Sequence, residues 1–181
     1  MIGYQVKKGE SILRTMHTFL IAAISADGFI APSDGISQPS TAWTSGADKK
    51  FFTQRTKEAG VMIMGSRTYE TIGRPLPGRH TIVYSKNKTY GEVETTSQDP
   101  MTVLEDLEKR GYKEVAICGG ASIYTLFMEA GLVQTLYLTV EPIVFGQGVS
   151  LFSKPIFANL ALRKIITLKE HSLLIEYGIG N

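Results

Sequence analysis

The chain has 181 residues, 43% hydrophobic and 20% charged, which suits one globular domain with a sizeable core and leaves little room for a second. Its 19 Lys and Arg against 17 Asp and Glu give a formal charge of +2, and the cations are scattered, so nothing points to nucleic acid. One cysteine, Cys118, excludes an internal disulfide and an all-cysteine metal site, and His17, His80 and His171 stand far apart, so no metal is expected and a reducing cytoplasm suits the composition.

Residues 1–16 are mixed and aperiodic, and they are set apart as an extension with no assigned function, ahead of a single domain over 17–181. This lead followed by the apolar run 19–26 has the outline of a signal peptide. The run is only just long enough, and the same residues are needed as a core strand, so secretion is not the favoured reading. No stretch is long enough to span a membrane.

Residues 18–25 are almost continuously apolar, as in a strand buried on both faces of a partly parallel sheet, and Asp27-Gly28 turns the chain. Within it Ala22 and Ala23 are, on local physics, close-packed core residues. Residues 32–44 are rich in turn formers and read as a loop long enough to act as a lid, with Trp43 near its end as an apolar anchor. A helix is expected over 46–58, with Phe51 and Phe52 inward and Lys49, Lys50 and Lys57 toward water. Asp48 falls in its first turn, where the helix dipole favours an acid that often does nothing more than cap.

Residues 61–64 form a short apolar strand broken by Gly65, after which Ser66, Arg67 and Thr68 offer capping oxygens and a guanidinium at a helix start. Such a turn can hold phosphate, although strand–Gly–helix turns also occur without any ligand. The loop Arg74-Pro75-Leu76-Pro77-Gly78-Arg79 is stiffened by two prolines and presents two arginines before the strand over 81–84. Residues 87–100 are polar and turn-rich, and 101–111 form an amphipathic helix with Val103, Leu104 and Leu107 inward. Residues 115–124, VAICGGASIY, place a buried strand before a Gly-Gly turn and a helix start, where backbone can approach a diphosphate. Cys118 reads as a small buried filler. A strand over 136–140 precedes an irregular stretch, and alternating segments over 161–168 and 172–177 fit a closing antiparallel hairpin.

Taken whole, MGSRTYETIGRPLPGR resembles the MGRxTxxSIGRPLPGR stretch of dihydrofolate reductases. The likeness extends in order over LIAAISADGFIA, the W-x-x-x-x-D spacing of Trp43 and Asp48, the IGGxxxY element and the LYLT strand. The resemblance implies an α/β fold, a three-layer α/β/α sandwich around a mostly parallel sheet with an antiparallel C-terminal hairpin. It implies hydride transfer from NADPH to dihydrofolate, with Asp48, Trp43 and Thr139 as catalytic residues. By the same resemblance Ile21, Ala22, Asp48, Phe52, Arg74, Arg79 and Thr139 bind substrate, Arg79 taking the carboxylate of the glutamate tail. Cofactor would lie on Ala23, Ile30, Gly65, Ser66, Arg67, Thr68, Ser85, Cys118, Gly119, Gly120, Ala121, Ser122, Ile123 and Tyr124.

One acid suffices for that chemistry. A pterin offers an amino group and a ring N–H that can pair with both carboxylate oxygens, while a proton must reach the imine nitrogen. An apolar pocket raises the pKa of such a carboxylate and suits it to promote protonation.

The chain departs from the pattern in three places. Ser66 stands where the family has an arginine, with Arg67 one place later; the lid is longer; and residues 142–152 carry P-x-x-x-G-x-G-x-x-L-F, which resembles the riboflavin-pathway reductase branch of the superfamily. The alternatives are therefore reduction of a ribosylamino-pyrimidine phosphate, or a protein that binds pterin or nucleotide without turnover. The substrate-side residues, Arg79 above all, favour dihydrofolate. A monomer or homodimer acting on a small molecule is expected.

Overall fold

A computed structural model describes residues 15–32 and 39–180. The extension up to residue 14, with the leader reading attached to it, and lid residues 33–38 lie outside the described residues.

Strand β1 (His17–Ser25) runs through the middle of an eight-stranded sheet with β3 (Val61–Gly65), β4 (His80–Tyr84), β5 (Glu94–Thr96), β6 (Glu114–Ile117), β7 (Thr135–Glu141), β9 (Asn159–Thr167) and β10 (Leu173–Gly180). The order is β5-β4-β3-β6-β1-β7-β10-β9. Pairing is parallel from β5 to β7 and antiparallel between β7 and β10 and between β10 and β9. A separate ribbon joins β2 (Phe29–Pro32) to β8 (Gly148–Ser150). The near-continuous apolar character of β1 follows from its place, because Phe19 and Ile21 point into one layer and Leu20 and Ala22 into the other.

Among the described residues four helices cover the sheet: α1 (Gly46–Ala59), α2 (Ser66–Ile72), α3 (Pro100–Lys109) and α4 (Ala121–Glu129). Val103, Leu104 and Leu107 of α3 and Ile123, Tyr124 and Phe127 of α4 pack with Leu20, Ile63 and Ile117 on one face. Ala59, Tyr69, Phe51 and Phe52 from α1 and α2 meet Phe19, Met62, Met64 and Val83 on the other. This is the expected three-layer sandwich. Met16, at the end of the extension, belongs to the core, with 1% of its surface exposed. No helix among the described residues is long and apolar enough to cross a membrane.

Phe51 and Phe52 of α1 are half-buried against the second of these faces, on the inner side as expected, while the most buried positions of the helix are Asp48, Arg55, Thr56 and Ala59. Arg55 can be buried because its guanidinium lies 4.0 Å from the Phe19 ring centre and makes two hydrogen bonds to Glu114, at 2.7 and 2.8 Å. Two expectations need correction. Helix α2 starts on Gly65 with no side-chain cap, so the Ser66 and Thr68 hydroxyls do not cap it. The polar stretch 87–100 contains β5, an edge strand whose three half-buried residues give no apolar alternation to read.

Candidate active site

The parallel strands set the site. Strand β3 ends at Gly65 and β6 at Ile117, while β1 continues past β6 through Ala22 and Ala23 to pair with β7 up to Glu141. The carboxyl ends of β3, β6, β1 and β7 therefore define a crevice where the strand order changes direction, the usual place for a ligand in an open α/β sheet.

Asp48 enters this region from the first turn of α1. It is 8% exposed, and burial pushes its carboxyl above the ordinary carboxylate value. A hydrogen bond from Thr139 pulls the other way, and the nearby Glu141 carboxylate adds to the upward push. Ser45 caps the helix, its Oγ accepting from the Asp48 N–H at 3.1 Å, so the backbone of Asp48 is fixed. Thr139 is buried at 1% exposure and pairs in register with Ala23. Asp48, Thr139, Ala22 and Ala23 are thus assembled from three elements. Trp43 meets Phe145 edge to face at 5.2 Å, and its buried Nε1 has no acceptor among the described residues, which leaves a donor for a ligand or water.

Arg79 stands behind α1. Its Nη1 donates to Thr56 Oγ1 and, at 3.3 Å, to the Thr53 carbonyl, its Nε has no partner, and burial lowers its pKa. Its partners are neutral, so the cation can still take an anion. It borders a cavity of about 310 Å³ that Pro75, His80, Val93 and the acids Glu92 and Glu94 also line. Arg74 is exposed on the same loop.

The two glycine turns meet. Gly65 N–H donates to the Gly119 carbonyl at 2.7 Å, tying the end of β3 to the turn after β6. Gly119 has φ +103°, and a Cβ there would lie 3.0 Å from the Tyr124 hydroxyl oxygen; a Cβ at Gly65 would lie 3.1 Å from Ile123 Cγ1. Helix α4 starts on Gly120 with no side-chain cap, so its first N–H groups stay available. Bare backbone, open N–H groups and the hydroxyls of Thr68 and Ser122 fit the diphosphate of a dinucleotide. Tyr124 donates to the Ile21 carbonyl at 2.8 Å and locks this turn to β1. Arg67 and Ser122 are exposed, Ser66, Thr68, Ala121, Ala23 and Ile30 half-buried. Ser85 Oγ accepts from the Lys88 N–H at 3.0 Å, so that hydroxyl is partly committed to its own turn. Cys118 is buried, with its thiol pushed far up by desolvation, as a filler should be.

A family model for dihydrofolate reductase matches residues 18–147. The chain belongs to the dihydrofolate reductase family. It is 30% identical over 112 residues to dihydrofolate reductase type A13 of Escherichia coli, a match covering 62% of this chain and 64% of that protein. It is also 24% identical over 180 residues to riboflavin biosynthesis protein RibD of Corynebacterium ammoniagenes, covering 82% of this chain and 49% of the other. In fold it matches Acinetobacter baumannii RibD with a TM-score of 0.78 at 17% identity, over 96% of this chain and 60% of that one. Membership in the dihydrofolate reductase family supports an oxidoreductase acting on a small molecule, and the chain spans less than two thirds of the length of the type A13 enzyme.

Some residues at the site escaped the sequence. Glu141 reads only as the start of an irregular stretch, yet it is 2% exposed and accepts hydrogen bonds from Ser45 N, Ser45 Oγ and Ser172 Oγ. Its sole sequence signal is an acid closing an otherwise apolar strand. Asp27 reads as a turn residue, but its carboxylate accepts from the backbone of Phe145 and Gly146 at 3.2 and 2.7 Å.

Proposed function

We propose that this protein reduces 7,8-dihydrofolate to 5,6,7,8-tetrahydrofolate with NADPH. The observation that carries the reading is one buried carboxylate, Asp48, on the same helix that holds Arg79, a cation whose hydrogen-bond partners among the described residues are neutral. A folate needs both, an acid for the pterin head and a cation for the glutamate tail. When bound, the reduced nicotinamide supplies hydride. Asp48 pairs as a carboxylate with the pterin amino group and ring N–H, and from that place promotes protonation of the imine nitrogen. Thr139 orders that carboxylate, Phe52 packs against the ring, and Ala22 and Ala23 let ligand approach the strand backbone. Trp43 helps close the site. Gly119, Gly120 and the start of α4 hold the diphosphate, with Arg67, Ser66 and Ser85 near the ribose phosphate that distinguishes NADPH.

A second reading, reduction of a ribosylamino-pyrimidine phosphate, is favoured by one specific feature. The stretch 142–152 keeps the riboflavin-branch pattern, and Asp27 anchors its Phe145 and Gly146 amides. Purified protein assayed for loss of reduced-nicotinamide absorbance with each substrate, with NADH as control, separates the two. Turnover of dihydrofolate supports the first. Turnover of the pyrimidine alone replaces it with the second, and saturable binding of both ligands without turnover marks a binding protein.

A further inference from the structure

Glu141 ends β7 as a buried carboxylate whose three hydrogen bonds all come from neutral groups. Oε1 accepts from both the backbone N–H and the hydroxyl of Ser45, each at 2.9 Å. Oε2 accepts from the Ser172 hydroxyl at 2.5 Å. Among the described residues no Lys, Arg or His forms an ion pair with it, so its oxygens are held by neutral donors alone. A buried acid without a cation is a poor stabilising device, and an apolar residue at a strand end would fill the same volume at lower cost.

Its geometry shows what it does instead. Ser45 Oγ donates its hydrogen bond to Glu141 and is thereby left as an oriented acceptor for the Asp48 N–H, 3.1 Å away. The chain of bonds runs from β7 through the helix cap to the acid of the site. A second grip comes from the same C-terminal turn: Glu170, at φ 67°, takes the Gly46 N–H on Oε2 at 3.1 Å. The first turn of α1 is therefore held from β7 and from the turn before β10, both outside its own helix.

We propose that Glu141 is a positioning residue for Asp48, acting through Ser45 to fix the start of α1 so that the Asp48 carboxylate keeps its place beside Thr139. The inference rests on the reading of Asp48 as the acid of the reaction. Glutamine at 141 can keep the arrangement, its amide oxygen accepting from Ser45 and its NH₂ donating to Ser172, whereas alanine cannot.

The test compares Glu141→Ala, Glu141→Gln, Ser45→Ala and the double variant Glu141→Ala/Ser45→Ala in the full chain, with melting curves to establish that each is folded. Amide exchange at residues 46–49 needs no substrate: it should accelerate about tenfold or more in Glu141→Ala and Ser45→Ala, the double variant adding little, while Glu141→Gln stays close to wild type and α3 is unchanged in all. In the reductase assay kcat should fall in Glu141→Ala, Ser45→Ala and the double variant alike, and the KM for NADPH should not move; Glu141→Gln is judged by exchange, because it also removes a carboxylate near Asp48. Unchanged exchange in folded Glu141→Ala, additive effects in the double variant, or a Gln variant that exchanges as fast as Ala would overturn the inference. An Asp48→Asn control that keeps full turnover defeats the underlying reading of Asp48 instead. Failure of that control and failure of the exchange pattern are thus separate results.

Discussion

The hydroxyl of Thr139, at the end of β7, reaches the carboxylate of Asp48, from the first turn of α1. Burial nevertheless wins over that bond, and the acid sits above its ordinary value of 3.8. A carboxyl whose folded pKa is raised contributes its stability below the unfolded value and loses it as pH rises through the folded value. Asp48→Asn should therefore melt higher than wild type at pH 7, with the gap closing below about pH 4. Turnover should fall by about 10²–10⁴. Thermal melts across pH beside steady-state rates check both halves, and a variant less stable than wild type at pH 7 would contradict the burial account.

Arg55 and Glu114 give the opposite sign. Glu114 is held below the usual carboxylate range first by its hydrogen bonds to Arg55, then by His17. Stability from a lowered acid is present above the unfolded value of 4.5 and is lost as pH falls through the folded one. Glu114→Gln leaves the guanidinium of Arg55, with 11% of its side chain exposed, with only the exposed Glu58 at 3.9 Å as a charge partner. The expected cost is about 3 kcal/mol at pH 7, shrinking in acid. Urea unfolding at pH 7 and pH 4 measures it, and equal losses at both would remove the ion pair as the cause.

How much of this could be read beforehand differs by element. Strands β1, β3 and β6 were legible because burial on both faces leaves unbroken apolar runs, and α3 because Val103, Leu104 and Leu107 repeat at helical spacing. Helix α1 was legible in extent and in its inward Phe51 and Phe52, but not in its most buried positions, since Arg55 is satisfied by Phe19 and Glu114, far away in sequence. Glu141 was hidden for the same reason. Its partners, Ser45 and Ser172, lie 96 and 31 residues away, and no local pattern encodes a bond across the fold. Asp48 and Arg79 were found only through the family pattern, because an acid in a first turn and an arginine after a proline loop are ordinary surface features on their own.

Arg79 is tested by Arg79→Leu. Removing a cation whose hydrogen-bond partners are only Thr53 and Thr56 should leave folding nearly unchanged. Loss of a charge-assisted contact to the substrate carboxylate should raise the KM for dihydrofolate about 10- to 100-fold with kcat little altered. The same variant should show no change with a substrate analogue lacking the glutamate tail. A fall in kcat with constant KM would place Arg79 elsewhere in the reaction.

The glycine turns permit a controlled comparison. Gly119 and Gly131 both have positive φ, +103° and +65°, yet only Gly119 is crowded, its added Cβ meeting the Tyr124 hydroxyl at 3.0 Å and the ring carbon that bears it at 3.1 Å. Tyr124 cannot step aside without breaking its bond to the Ile21 carbonyl. Gly131→Ala should therefore carry only the backbone cost of a left-handed residue, about 1 kcal/mol. Gly119→Ala should cost about 2–3 kcal/mol, because strain and displacement of Tyr124 add. It should also weaken NADPH binding, since the moved backbone is the surface proposed for the diphosphate, whereas Gly131→Ala should bind as wild type does. Urea unfolding and cofactor titration by fluorescence quenching read the two effects separately. Equal losses of affinity in both variants would place the dinucleotide away from this turn.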